Sequence, residues 1–309
     1  MSPRIISLHH FIKAAILFGF AMYIVSLVKT ENILYYIAPR MVDYVKWSAV
    51  GFYAIAVYQV YQAFRSFWGS ADACDCDHDH TPSRSIMKNT VLYGMFIIPL
   101  LLGFLLPDLS MGSSLAAKKG MNLSSSSSVK KDSGAAAAPA SPSSTPPAQS
   151  ANAGSTAAAG SSEELFPSDK FTEQYAKYAK QIYKSDLIKV KEELYMETLT
   201  TVDLYMDRFV GKKMELTGFV YRQEEMKDNQ FVVGRFSIQC CSADAAPFGV
   251  LVEYERAKNF ADDSWVTVTG TIQKTRFNDM DIMMLKVEKI AAAEPSKAQY
   301  VYPNFDFGT

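Results

Sequence analysis

Histidine is scarce in this chain: four among 309 residues, at positions 9, 10, 78 and 80, and none from Glu163 to the C-terminus. A thiol nucleophile in that C-terminal part would lack the imidazole that usually activates it, so no enzymatic role is expected of the chain. Cysteine is equally rare. The four thiols fall in two close pairs, Cys74/Cys76 and Cys240/Cys241, a poor disulfide framework because an effective staple joins distant residues. Excess positive charge is missing too: the formal net charge is -1, and from Glu163 onward 19 Lys+Arg face 24 Asp+Glu, the wrong sign for gripping phosphates. Nucleic acid is not an expected partner. The first apolar run lacks a small-x-small cleavage pattern over Ser26-Leu-Val-Lys-Thr-Glu31, so it is expected to persist as an anchor.

Long apolar runs are what the N-terminal third does contain. Phe11 to Val28, Trp47 to Phe64 and Val91 to Leu106 have the length and composition of membrane spans, with Lys13 able to snorkel and Pro107-Asp108 ending the third. Basic residues bias the orientation. Arg4, Lys13, Arg65, Arg84 and Lys88 fall on one side against Lys29, Arg40 and Lys46 on the other, with Lys118 and Lys119 following the third span; from this small bias the N-terminus is expected inside and the C-terminal domain outside the cell membrane. Between them, Ser113 to Ser162 is rich in Ser, Ala, Pro and Gly without periodicity, a composition that cannot offset the entropy of ordering. Three regions follow: a membrane domain over 1–112, a linker over 113–162 expected to be disordered, and a domain over 163–309.

Between the second and third spans, Cys74-Asp-Cys-Asp-His-Asp-His80 alternates thiol or imidazole groups with carboxylates. Cys74, Cys76, His78 and His80 together suit Zn²⁺ or another transition metal. A solvated acidic loop is the plainer reading, and the spacing is not that of a zinc finger, so a loose, exchangeable site is expected. His9 and His10 are expected to lie at a membrane interface.

After the linker, Ser168 is a candidate N-cap for a helix carrying Phe171, Tyr175, Tyr178, Ile182 and Tyr183; Leu187 to Val190 suggests a short strand, and Glu193 to Phe209 a second helix ending before Gly211. Alternating segments follow at Met214–Val220, Phe231–Cys240, Phe248–Tyr254, Trp265–Ile272 and Ile282–Ile290, with Gly218 and Gly270 where strands must bend. The expected fold is membrane-anchored α + β, with a five-stranded OB-like β-barrel flanked by helices. Strand phase puts Val232, Phe236, Ile238 and Cys240 on the inner face and Arg235 and Cys241 on the outer, with a bend or stop at the cysteine pair. Cys240, Cys241 and Asp244 form the second candidate metal site. Packing is the alternative, since spacing alone sets no coordination geometry.

The series Gly218-Phe-Val-Tyr-Arg222, Arg235-Phe-Ser-Ile-Gln-Cys-Cys-Ser-Ala-Asp244, Trp265-Val-Thr-Val-Thr-Gly-Thr-Ile272 and Tyr300-Val-Tyr-Pro303, behind membrane spans and a His-rich loop, resembles the YcgQ-like family of bacterial membrane proteins, described as candidate permease subunits. The resemblance implies an accessory subunit of a permease, partnered by a separate multi-span permease encoded alongside. It brings no established substrate. Two other readings stand beside it: a structural module binding protein or envelope polymer through Phe219, Tyr221, Phe231 and the Tyr300 to Phe307 tail, and a thiol-redox protein using Cys240/Cys241.

Overall fold

The computed structural model describes residues 3–68, 85–108, 111–126, 165–296 and 298–308. These form two compact units, one of Met1–Ser110 with Cys240–Asp244, the other of Met111–Gln239 with Ala245–Thr309.

The first unit holds helices α1 (Pro3–Lys29), α2 (Val42–Phe67) and α3 (Ile86–Leu105), with 3-10 turns at Asn32–Tyr35 and Pro39–Met41 connecting the first two. Alanines recur every seven residues where α1 meets α2: Ala14 and Ala21 on one helix, Ala49, Ala56 and Ala63 on the other, all buried. Such small side chains let two backbones approach closely. Ring pairs Phe11–Phe64, Phe18–Tyr53 and Phe20–Phe52 flank that seam. Helices α1 and α3 are long and apolar enough to cross a membrane. The expected second span forms as α2, but its glutamines and tyrosines keep it outside that class. His9 and His10 each meet a partner on another helix. His9 Nδ1 lies 2.8 Å from the Tyr93 hydroxyl on α3, and His10 Nδ1 lies 2.6 Å from Gln59 Oε1 on α2, so the pair ties α1 to both neighbours.

The second unit begins with α4 (Ser113–Lys119). The first residues of the expected tether are therefore structured. Asn122 donates its N–H to Pro247 O at 2.9 Å and accepts from Gly249 N–H at 3.1 Å, while the Ser124 hydroxyl and Ser126 N–H donate to the Asp203 carboxylate at 2.9 and 2.8 Å. Residues 127–164 of the tether lie outside the described residues. The expected first helix is α5 (Glu173–Ile182), which starts after Ser168 because Asp169 organises the approach, accepting from the N–H groups of Phe171 and Thr172 at 3.0 and 2.8 Å. The expected second helix breaks into a 3-10 turn at Glu192–Leu194, then α6 (Tyr195–Leu204) and α7 (Met206–Phe209), interrupted at Tyr205. Gly211 then takes φ +88°, the left-handed geometry that ends helices.

Seven strands follow the helices or precede them: β1 (Leu187–Lys189), β2 (Lys213–Tyr221), β3 (Gln230–Ser237), β4 (Ala246–Glu253), β5 (Trp265–Phe277), β6 (Met280–Ala292) and β7 (Tyr300–Val301). Their order is β1-β2-β5-β6-β4-β3-β7, and a further pairing joins β2 to β3. Pairing runs from β2 through β5, β6, β4 and β3, which also touches the end of β2 over residues 219–221. With β1 and β7 at its ends this is a seven-stranded sheet, not the closed five-stranded OB-like barrel expected from the alternating segments, because the short strands β1 and β7 add to it by parallel pairing. Among β2 to β6 the pairing is antiparallel except between β4 and β6. The β2–β3 contact brings backbones very close: a Cβ on Gly218 would stand 2.4 Å from the Gly234 carbonyl oxygen. Gly270 sits at the β5–β6 register shift, where only a residue without a side chain fits the kink.

The core gathers Val220, Phe231, Val233, Val250, Val268 and Leu285 from these strands with Leu199, Val202 and Phe209 from the helices. Phe219, Tyr221, Phe231 and Tyr300 are buried. They hold the domain together, and the aromatic docking surface expected of them is absent; of that set and tail, Phe305 is exposed while Phe307 packs against the rings of Tyr175 and Tyr178.

Candidate functional site

Strand β3 ends at Ser237, paired with Ala246 at the start of β4. Ile238 then donates its N–H to Val301 O on β7 at 3.1 Å, which takes the chain out of the β3–β4 ladder before the cysteines. The stop expected near the pair is present. Its consequence for the side chains is the reverse of the strand-phase expectation: Cys240 is exposed and Cys241 is half-buried. Alternation also fails one step earlier, because all eight residues of β3 are buried. A strand covered on both faces carries no inside-outside code.

The loop folds around one carboxylate. A 3-10 turn at Ser242–Asp244 brings the Asp244 side chain back over the pair, where Oδ2 accepts from Cys240 N–H at 2.8 Å and from Cys241 N–H at 3.2 Å. The Cys240 thiol donates to the same oxygen at 2.8 Å, and the two sulfurs stand 3.7 Å apart. Two thiols and a carboxylate oxygen therefore converge within 4.8 Å of one another, the one group of this kind among the described residues. The carboxylate beside it, and next the neighbouring thiol, push the Cys240 pKa up to about 11. Cys240 is thus held as a thiol at neutral pH and is poorly suited to nucleophilic attack.

By its packing this loop belongs with the first unit. Ala38 N–H donates to Cys240 O at 3.0 Å, and Ser242 N–H donates to Tyr36 O at 2.7 Å, an antiparallel bridge centred on Ile37 and Cys241. The Tyr36–Ala38 stretch lies between the two 3-10 turns joining α1 to α2. It is itself fixed by Asp108, just past the end of α3, which accepts from the Tyr36 hydroxyl and, at 2.9 Å, from Asn32 Nδ2. That hydrogen bond to a carboxylate raises the Tyr36 pKa.

The structure thus brings together Cys240, Cys241 and Asp244. Cys74, Cys76, His78 and His80 lie outside the described residues.

Arg235 was expected on the outer face, yet it is 1% exposed. Its guanidinium donates to Glu192 Oε1 at 3.1 Å and to the Ala298 carbonyl, and lies 4.9 Å from the Trp265 ring centroid. Around it, Tyr195 is buried with no partner for its hydroxyl among the described residues, and burial pushes the Tyr302 pKa up to about 12. A lone charge within Phe231-Val-Val-Gly-Arg-Phe236 was the sequence signal available for this group.

Two family models match the chain, the DUF1980 N-terminal domain over residues 12–122 and the DUF1980 C-terminal domain over residues 165–303. Over 225 residues it is 22% identical to the UPF0703 protein YcgQ of Bacillus subtilis (strain 168), covering 72% of each chain. The chain belongs to the YcgQ-like family. A YcgQ-like chain is also similar, at 25% identity over 142 residues, to a Streptococcus mutans serotype c (strain ATCC 700610 / UA159) protein named as a candidate two-component membrane permease complex subunit; that match spans 45% of this chain and 52% of the relative. The boundary between the two family models falls in the residues that follow Asn122, and Cys240, Cys241 and Asp244 lie within the C-terminal one.

Proposed function

We propose that this YcgQ-like chain is an accessory membrane subunit of a permease, with an extracytoplasmic C-terminal domain and a cation-holding loop at Cys240, Cys241 and Asp244. The observation that carries the reading is the similarity to a relative named as a subunit of a two-component membrane permease complex. Two helices long and apolar enough to cross a membrane agree with it. A few helices hardly enclose a transport path, which argues for a separate multi-span partner. The name of the Streptococcus mutans relative points to a permease subunit rather than an enzyme. The small basic bias of the short loops favours the C-terminal domain outside.

The test is affinity purification of the tagged full chain from its host membrane in mild detergent, with the co-purifying proteins identified by mass spectrometry. A multi-span membrane protein in stoichiometric amount is expected. Recovery of this chain alone, under conditions that preserve other membrane complexes, refutes the reading. Orientation is read separately by Ser141→Cys in a background without the native cysteines: labelling by an impermeant reagent in intact cells is expected, and protection until lysis reverses the assignment.

Of the other readings, the envelope-binding surface loses its support with the burial of Phe219, Tyr221 and Phe231. Thiol-redox work is opposed by Asp244, which keeps the Cys240 thiol protonated.

A further inference from the structure

The two sulfurs of the Cys240–Asp244 loop stand at the edge length of a tetrahedral coordination polyhedron, with a carboxylate oxygen close beside them. In a tetrahedron with zinc–sulfur bonds of about 2.3 Å, two thiolate sulfurs stand about 3.8 Å apart. The Cys240 and Cys241 sulfurs stand 3.7 Å apart. Carboxylate oxygen belongs about 3.6 Å from each sulfur in the same figure, while Asp244 Oδ2 sits 2.8 Å from Cys240 Sγ because a proton lies between them. Removing that proton and placing an ion among the three atoms asks the carboxylate to withdraw by roughly 0.8 Å. Exposure of Cys240 and Asp244 leaves room for that movement.

No fourth His, Cys, Asp or Glu joins the group among the described residues. Closed structural zinc sites use four protein ligands, whereas sites with three keep a position for an exchangeable one. The backbone, by contrast, is held. Ala38 and Ser242 bond the loop to the α1–α2 connector on either side of Cys241.

We infer that Cys240, Cys241 and Asp244 form a three-ligand, open-position site for a tetrahedral, thiophilic divalent cation of the zinc class, which holds the ion as exchangeable cargo beside the α1–α2 connector. The inference rests on reading the chain as a permease subunit with a cation-holding loop, and deepens it by naming the ion class and the coordination. Binding is a ligand exchange without electron transfer. Each thiol releases its proton to solvent as its sulfur takes the ion, Asp244 turns its oxygen from the thiol and backbone N–H groups to the metal, and water or a partner's donor group fills the fourth position.

The experiment uses the purified full chain in detergent with Co²⁺ as the spectroscopic probe, in a background of Cys74→Ser, Cys76→Ser, His78→Ala and His80→Ala so that the other loop contributes no ligand. One Co²⁺ per chain is expected, with sulfur-to-metal charge-transfer absorption of two thiolates, intense tetrahedral bands in the visible, and displacement of Co²⁺ by Zn²⁺. Cys240→Ser and Cys241→Ser should each halve the charge-transfer intensity. Asp244→Asn should keep both sulfur contributions and weaken affinity by at least about tenfold. Circular dichroism and melting of each variant separate lost binding from lost fold; if Asp244→Asn unfolds, Asp244→Glu, which keeps the oxygen ligand, should retain the spectrum. Absence of the charge-transfer band in the folded background protein, or a band indifferent to both serine substitutions, overturns the inference. Recovery of a multi-span partner with no Co²⁺ band would leave the permease reading standing and sink this one, whereas the band without any partner would do the opposite.

Discussion

Replacing Glu192 by Gln tests the most unusual piece of energetics in the C-terminal unit. Arg235 is 1% exposed, its Nε has no partner among the described residues, and Glu192 is its counter-ion at 3.1 Å, with 43% of that side chain in solvent. Removing one partner of a fully buried pair costs about 3–5 kcal/mol, mostly because the other charge is left without compensation. Here the survivor is the fully buried member, so the effect should be large. The half-exposed Glu192 has less Coulomb energy to lose, and the Ala298 carbonyl and the Trp265 ring still hold the guanidinium, so we expect about 2–3 kcal/mol. Arg235→Met should cost less, about 1 kcal/mol, since it removes the charge, keeps most of the volume, and leaves Glu192 free to be hydrated. Trp265 reports both. In a Trp47→Phe, Trp68→Phe background it is the sole tryptophan, and its fluorescence follows urea unfolding of this unit within the full chain. At a urea slope of about 2 kcal/mol/M the midpoint should fall by roughly 1–1.5 M for Glu192→Gln and by half a molar or less for Arg235→Met. A Glu192→Gln midpoint equal to wild type, or an Arg235→Met loss as large as that of Glu192→Gln, would show that packing rather than charge holds the arginine.

Three further outcomes follow from distances and exposures. Cys240→Ser should leave the same Trp265 unfolding midpoint unchanged within about 0.5 kcal/mol, because the thiol is exposed; a larger shift means that the side chain packs inward. Asp244→Asn should lower the Cys240 pKa by removing the carboxylate that raises it, so with Cys240 as the only cysteine, iodoacetamide at pH 8 should react at least about tenfold faster, one pKa unit being a tenfold gain in thiolate. An unchanged rate refutes the assigned cause. Gly218→Ala would press a methyl to 2.4 Å from the Gly234 carbonyl oxygen and should cost about 2 kcal/mol or more in the same urea assay. Gly51→Ala on α2 meets nothing within 4 Å and is the neutral control.

The parts of this protein legible in its residues are those decided over short stretches of chain. Apolar runs near twenty residues long appear as α1, α2 and α3, since a helix satisfies its own backbone. Period-two alternation found β2 and β5, where one face is buried and the next residue is not. Gly211, Gly218 and Gly270 signal chain reversal or bending, and each stands where a side chain would be strained or would clash. The Cys-Cys-Ser-Ala-Asp run was legible as candidate chemistry because its ligands are neighbours in sequence, so a single turn suffices to gather them.

Other features depend on partners far along the chain, and no local pattern encodes those. Strand β3 lies against β4, β2 and β7 and is buried throughout. Its alternation therefore predicted a wet face that does not exist, and Arg235 was placed in water when its counter-ion lies 43 residues earlier. Residues 113–126 have a linker's composition, yet Asn122 and Ser126 find acceptors on Pro247 and Asp203. Composition measures how little apolar surface a stretch can bury by itself, whereas an existing domain orders this one through those hydrogen bonds and by covering Ala116 and Leu123. Sequence by itself determined the three helices, most of the strands and the identity of the thiol and carboxylate groups. Only the tertiary structure decided that Cys240 faces solvent and that its loop is bonded to the connector between α1 and α2, because both follow from pairings between residues distant in the chain.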